Sequence, residues 1–102
     1  MSPLELMRAE GRRYRLEEQP HYIYRCFDAA GRLLYVGCTS DMKKRMKVHR
    51  YNTKSDLWRL MARHEVSEPY AGWIAAHDAE VAAIRDECPL LNVRHAGARK
   101  AA

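Results

Sequence analysis

Long apolar runs are missing from this 102-residue chain. None approaches the roughly 18 residues a bilayer-spanning helix needs, and no apolar stretch of signal length stands at the N-terminus. Cysteine is scarce and patternless. Cys26, Cys38 and Cys88 are odd in number and far apart. No CxxC pair or Cys/His cluster has zinc spacing, which excludes a zinc ribbon or finger. Scattered thiols suit a reduced, intracellular protein, so the expectation is a soluble, cytoplasmic chain with no membrane association. Cys26 and Cys88 lie in apolar runs and are expected buried, with Cys38 partly exposed. There is no internal repeat, no low-complexity linker, and no helix-turn-helix or homeodomain pattern. The length allows one domain with one modest core.

Acidic residues are nearly absent from one stretch. Met42 to His64 carries eight Lys/Arg against a single acid, Asp56, while Glu65 to Cys88 carries six acids against Arg85. The net charge of +5 conceals that asymmetry. A basic block of this kind suits a polyanion, of which nucleic acid is the commonest; a solvated helix face reads the same way.

Local signals place the elements. Ser2-Pro3-Leu4-Glu5 starts a helix, with Leu4, Met7, Gly11 and Tyr14 on one stripe, and Gln19-Pro20 ends it. Residues 1–20 are thus a helical extension, 21–95 the main domain, and 96–102 a loose tail. His21–Phe27 and Leu33–Gly37 read as strands joined at Asp28-Ala29-Ala30-Gly31. If Phe27 pairs with Arg32, Tyr24 faces Tyr35 and Tyr22 faces Gly37. Thr39 or Ser40 caps a helix running to about Arg50, with Met42 and Met46 on its buried side. Arg45 and His49 flank those methionines, and Lys43, Lys44, Lys47 and Arg50 point elsewhere. Ser55 caps a further helix carrying Leu57, Leu60, Met61 and His64. Tyr70–Ala76 is expected as a third strand, and Asp78–Glu87 as a last helix stopped by Cys88-Pro89. The fold class is therefore α/β of the α+β sandwich kind. A small three-stranded antiparallel sheet is flanked by helices in the order α-β-β-α-α-β-α.

The runs Tyr22-Ile23-Tyr24 and Tyr35-Val36-Gly37, followed by Arg45, His49, Glu80 and Asn92, resemble the GIY-YIG nuclease family. The similarity spans Tyr22 to about Val93. It departs where Tyr22 replaces a glycine and where Ser40 stands in place of a lysine found in some relatives. The resemblance implies a metal-dependent DNA endonuclease that hydrolyses phosphodiester bonds with one divalent cation, Mg²⁺ or Mn²⁺. It implies Glu80 as the metal ligand and Tyr24, with His49 relaying the proton, or Tyr35 as the base. Arg45 would grip the phosphate, and Gly37 and Asn92 would support the site. All five functional groups would line one basin. Lys43, Lys44, Lys47, Arg50, Lys54, Arg59 and Arg63 would contact the DNA backbone, with any sequence preference supplied by the domain, a protein partner or a homodimer.

The residues alone leave other readings open. The tyrosines can be hairpin packing, Arg45 a cover for the sheet, His49 a packed histidine, and Asn92 a turn residue. Glu80 can be a surface glutamate, with Glu87 on the same helix face as a rival ligand. A catalytically weak nucleic-acid-binding module with the nuclease fold is the alternative function, and an interaction protein a third.

Overall fold

A tight loop after the first strand sets up the fold. The computed structural model describes residues 19–92. The helix expected from Ser2 and the tail from residue 96 lie outside the described residues. Strands β1 (Tyr22–Asp28) and β2 (Leu33–Thr39) form an antiparallel hairpin. Asp28 organises its turn: Oδ1 accepts from the Ala30 and Arg32 amides (3.0 and 2.8 Å), and Oδ2 from Arg32 Nε (2.8 Å). Gly31 takes φ +81°, a region glycine enters without a Cβ clash.

The register differs from the expected pairing by two residues. Tyr24 lies opposite Gly37, and Cys26 opposite Tyr35. Phe27 pairs with Leu33 rather than Arg32, which lengthens the loop by one residue. The register then shifts again between Cys26 and Phe27, leaving Leu34 as a bulge. Two single shifts restore the side-chain parity, so Tyr24 and Tyr35 still share a face. They sit diagonally, ring centroids 6.0 Å apart.

Strand β3 (Met61–Val66) pairs antiparallel with the other side of β1, giving the sheet order β2-β1-β3. The expected third strand at Tyr70–Ala76 is not formed. Its end joins α3 (Trp73–Glu87), which begins five residues before the expected Asp78. Alanine-rich Trp73–Ala79 has better helix than strand propensity. The helix expected from Ser55 shrinks to one turn, α2 (Leu57–Leu60), and Met61 to Val66 extends instead. Backbone pairing with the open side of β1 overrides the local preference there. Past Met61 every β3 residue is exposed, so the strand has no alternating pattern to read. The class nevertheless holds, an antiparallel three-stranded sheet flanked by helices in an α+β fold, and among the described residues the elements follow the expected order β-β-α-α-β-α.

Helix α1 (Met42–Tyr51) is capped by Asp41, whose side chain accepts from the Lys44 amide at 3.0 Å. Thr39 Oγ1 accepts from the Asp41 amide in turn, at 3.0 Å, so the expected cap acts one step removed. Each sheet face has its own core. On one, Tyr24, Cys26 and Leu34 pack with Leu57, joined by Tyr35, Met42, Met46, Met61 and Leu91. On the other, Ile23 and Val36 pack with Ala83 and Ile84 of α3. Ile23, Leu34, Leu57 and Val36 are fully buried, each worth roughly 1.5–3 kcal/mol. Cys88, expected buried, is exposed: it ends α3 with φ 49°, its thiol donating to the Arg85 carbonyl. A leaving chain must turn at the helix end, and that turn faces solvent. Among the described residues no helix is long and apolar enough to cross a membrane.

Candidate functional site

Strand β2 is an edge strand, and the residues of interest gather along its outer side. The segment after α3 runs beside it. The Leu90 and Leu91 amides donate to the carbonyls of Leu33 and Leu34 (3.2 and 2.7 Å). Asn92 completes the pairing with its side chain: Oδ1 accepts from the Val36 amide (2.8 Å) and Nδ2 donates to the Val36 carbonyl (2.9 Å). The amide thus substitutes for a neighbouring strand.

A cavity of about 650 Å³ opens at this edge. Tyr35 and Cys38 of β2, Arg45 of α1, Lys54 and Asp56 of the following loop, and Glu80 of α3 all line it. Helix α3 packs on the sheet face opposite the two tyrosines. The carboxylate and the Tyr35 phenol therefore meet around the strand edge. Glu80 is mostly buried, and its Oε1 lies 3.4 Å from His77 Nδ1. Glu87, the rival carboxylate, is committed elsewhere. It receives Arg25 Nε and Nη2 at 2.8 and 2.6 Å, a bidentate tie between β1 and α3.

Tyr24 and His49 stand behind the cavity and do not line it. Tyr24 is fully buried, and its hydroxyl lies 2.7 Å from His49 Nε2. An added Cβ at Gly37 would overlap the ring end and hydroxyl of Tyr24, so the glycine is the slot that admits the phenol. Burial, and then the neighbouring Tyr35, push the Tyr24 pKa far above the ordinary tyrosine range. Burial, followed by the positive charge of Arg45, holds the His49 imidazole below its usual value. Tyr35 is also raised, first by burial and then by the Glu80 charge. Arg45 and hydrogen bonding from Tyr24 pull it back. The Cys38 thiol is raised by burial and Glu80, against Arg45. These mutual effects place Arg45, Glu80 and Tyr35 within electrostatic reach of one another.

A family model described as the GIY-YIG catalytic domain matches residues 20–87, two thirds of the chain. The chain belongs to the GIY-YIG family. This is a nuclease-type family, and its members are generally divalent-metal dependent. No curated protein matches the sequence.

The donor chemistry of this GIY-YIG domain fits a hard cation. Among the described residues no group of three or more His, Cys, Asp or Glu is placed to hold a metal, which leaves no closed structural site. A single mostly buried carboxylate on an open polar cavity suits Mg²⁺, which keeps several waters and binds through one or two carboxylates plus phosphate. The candidate backbone contacts Lys43, Lys44, Lys47, Arg50, Lys54, Arg59 and Arg63 are all exposed, and of these Lys54 lines the cavity. Arg59 and Arg63 also pair with Asp56 (3.1 Å) and Glu65 (3.3 Å), and Arg63 lies over the Phe27 ring at 4.1 Å.

Among the cavity residues that sequence reasoning missed are Trp73 and His77, whose segment was assigned in part to a strand. The signal was present. Trp73, His77, Glu80 and Ile84 follow one another at intervals of four, three and four, the spacing of one helix stripe.

Proposed function

We propose that this GIY-YIG domain is a metal-dependent DNA endonuclease that hydrolyses phosphodiester bonds with one divalent cation, Mg²⁺ or Mn²⁺. The observation that carries this reading is the shared cavity of Tyr35, Arg45 and Glu80. Hydrolysis requires an activated water, a stabilised phosphate and a way to move one proton. Arg45 offers a guanidinium fork to two phosphate oxygens and balances the charge that grows on them. Glu80 would hold the cation, which would supply positive charge against the phosphate and Lewis acidity toward water.

Tyr35 is the phenol that reaches the cavity, so we assign it the orientation and deprotonation of the attacking water. Its phenol is held up first by burial and then by Glu80, and neutralising that carboxylate would lift the second of these effects. Tyr24 is sealed from the cavity and strongly favours its protonated form. It suits a relay better than a base. A hydrogen bond donated toward Tyr35 favours phenolate there. His49, which meets the Tyr24 hydroxyl through Nε2 and the Tyr35 ring edge-on (centroids 5.1 Å apart), fixes the orientation of that hydroxyl or takes up the proton. The exposed lysines and arginines from Lys43 to Arg63 position the DNA backbone without reading sequence. Target choice then falls to the domain itself, a protein partner or a homodimer.

Supercoiled plasmid incubated with the protein tests the proposal. Nicking is expected with Mg²⁺ or Mn²⁺ and not in EDTA. Arg45→Ala and Tyr35→Phe are expected to lower the rate roughly 100-fold or more, and Glu80→Ala to abolish it, each in folded protein. Cleavage that survives EDTA or Glu80→Ala rejects the mechanism. Salt-sensitive binding without cleavage, indifferent to Glu80, would establish the non-catalytic binding module instead.

A further inference from the structure

Trp73 is placed oddly for a core residue. It starts α3, remains about half exposed (48%), and lines the same cavity as Arg45 and Glu80. Its indole is already stacked on one ring: His77 lies parallel to it, centroids 4.9 Å apart and planes 16° off. His77 in turn touches Glu80, the carboxylate at the centre of the site. A flat aromatic surface is thus held in a fixed attitude along one stripe of α3. Seven residues separate Trp73 from Glu80, roughly 10 Å along the helix axis. That is the reach from a backbone phosphate at the carboxylate to its own base or the next one.

We propose that Trp73, backed by His77, is a stacking platform for an unpaired nucleobase beside the phosphate that is cut. The inference rests on the nuclease reading and names its substrate class: DNA with a single-stranded, frayed or extrahelical nucleotide at the cleavage site. A base inside a perfect duplex keeps both faces covered by its neighbours and offers none to an indole. An unstacked base offers a π face, and every base has one, so the contact is tolerant of sequence. The cavity supplies the complement. Lys54 shares it with Trp73 and can hold a flanking phosphate, while Arg45 keeps the one that is cut. Taking an unpaired nucleotide also avoids the unstacking cost that a paired one incurs.

The test measures binding in EDTA, where cleavage does not interfere. The full chain is titrated with a perfect duplex and with the same duplex carrying one extrahelical thymine. Wild type is expected to prefer the second by roughly tenfold. Trp73→Ala is expected to erase the preference while keeping affinity for the perfect duplex. Trp73→Phe, which retains an aromatic face, is expected to keep part of it. In a Trp58→Phe background the remaining indole reports directly, and its fluorescence is expected to be quenched by the extrahelical substrate more than by the duplex. Equal affinity of wild type for the two duplexes, or a Trp73→Ala loss that is the same for both, overturns the platform and leaves the nuclease reading standing. Failure of the wild type to bind any DNA overturns both.

Discussion

His49 shows how one residue can be constrained by burial, charge and hydrogen bonding together. It is the one buried residue of α1, its Nε2 faces the Tyr24 hydroxyl, and Arg45 lies one turn away. The folded state therefore favours neutral imidazole, whereas the unfolded chain protonates near pH 6.5. Below that pH the unfolded state binds more protons, so stability falls with pH. The contribution is complete above about pH 6.5 and is lost as pH drops through the lower folded value. Urea midpoints are expected to decline between pH 7 and pH 5.5, and His49→Gln is expected to flatten the decline; parallel profiles for the two proteins would contradict the assignment. At this scale much was legible. The tyrosines, Arg45, His49 and Glu80 are identifiable by type and spacing. Which tyrosine reaches the cavity was not, because Tyr24 and Tyr35 differ in burial and not in chemistry. Gly37 was expected opposite Tyr22, whereas it lies opposite Tyr24 and admits that ring.

Among the elements, the edge of β2 is the most instructive. Its outer hydrogen-bonding groups are met by Leu90, Leu91 and the Asn92 amide, which spares the strand an open edge. Asn92→Ala strips Val36 of both partners on that side. The expected cost is about 1–3 kcal/mol, since Val36 is buried and its groups cannot turn to water. Exchange of the Val36 amide with solvent deuterium is expected to quicken while amides in β1 change little; uniform loss of protection would point to global unfolding instead. Asparagine twelve residues after Glu80 was visible in the sequence, but its job was not. Side-chain mimicry of a strand depends on where the chain returns after α3. The same dependence hid β3. Met61-Ala62-Arg63-His64-Glu65-Val66 has neither period two nor a buried face past Met61, and it extends because β1 lacks a partner there.

The whole molecule carries its positive charge as a surface feature. Lys43, Lys44 and Lys47 are exposed on α1, the helix that also brings Arg45 to the cavity. Binding to DNA through such groups releases counterions, with a slope of about 0.9 in log K against log salt per phosphate neutralised. Replacing Lys43, Lys44 and Lys47 by Gln is expected to reduce the slope by roughly 2–3 and to weaken binding to all sequences alike. A slope unchanged by the triple substitution would place the DNA on another face. The class of fold, the hairpin, the basic helix and the kinds of group in the candidate site could be read along the chain, because turns, caps and charge are properties of neighbours in sequence. The tertiary structure alone decided that Glu80 meets Tyr35 around a strand edge, that Tyr24 is sealed behind it, and that Trp73 stands at the rim. Those outcomes follow from how the two sheet faces close on their helices, and no local spacing encodes that closure.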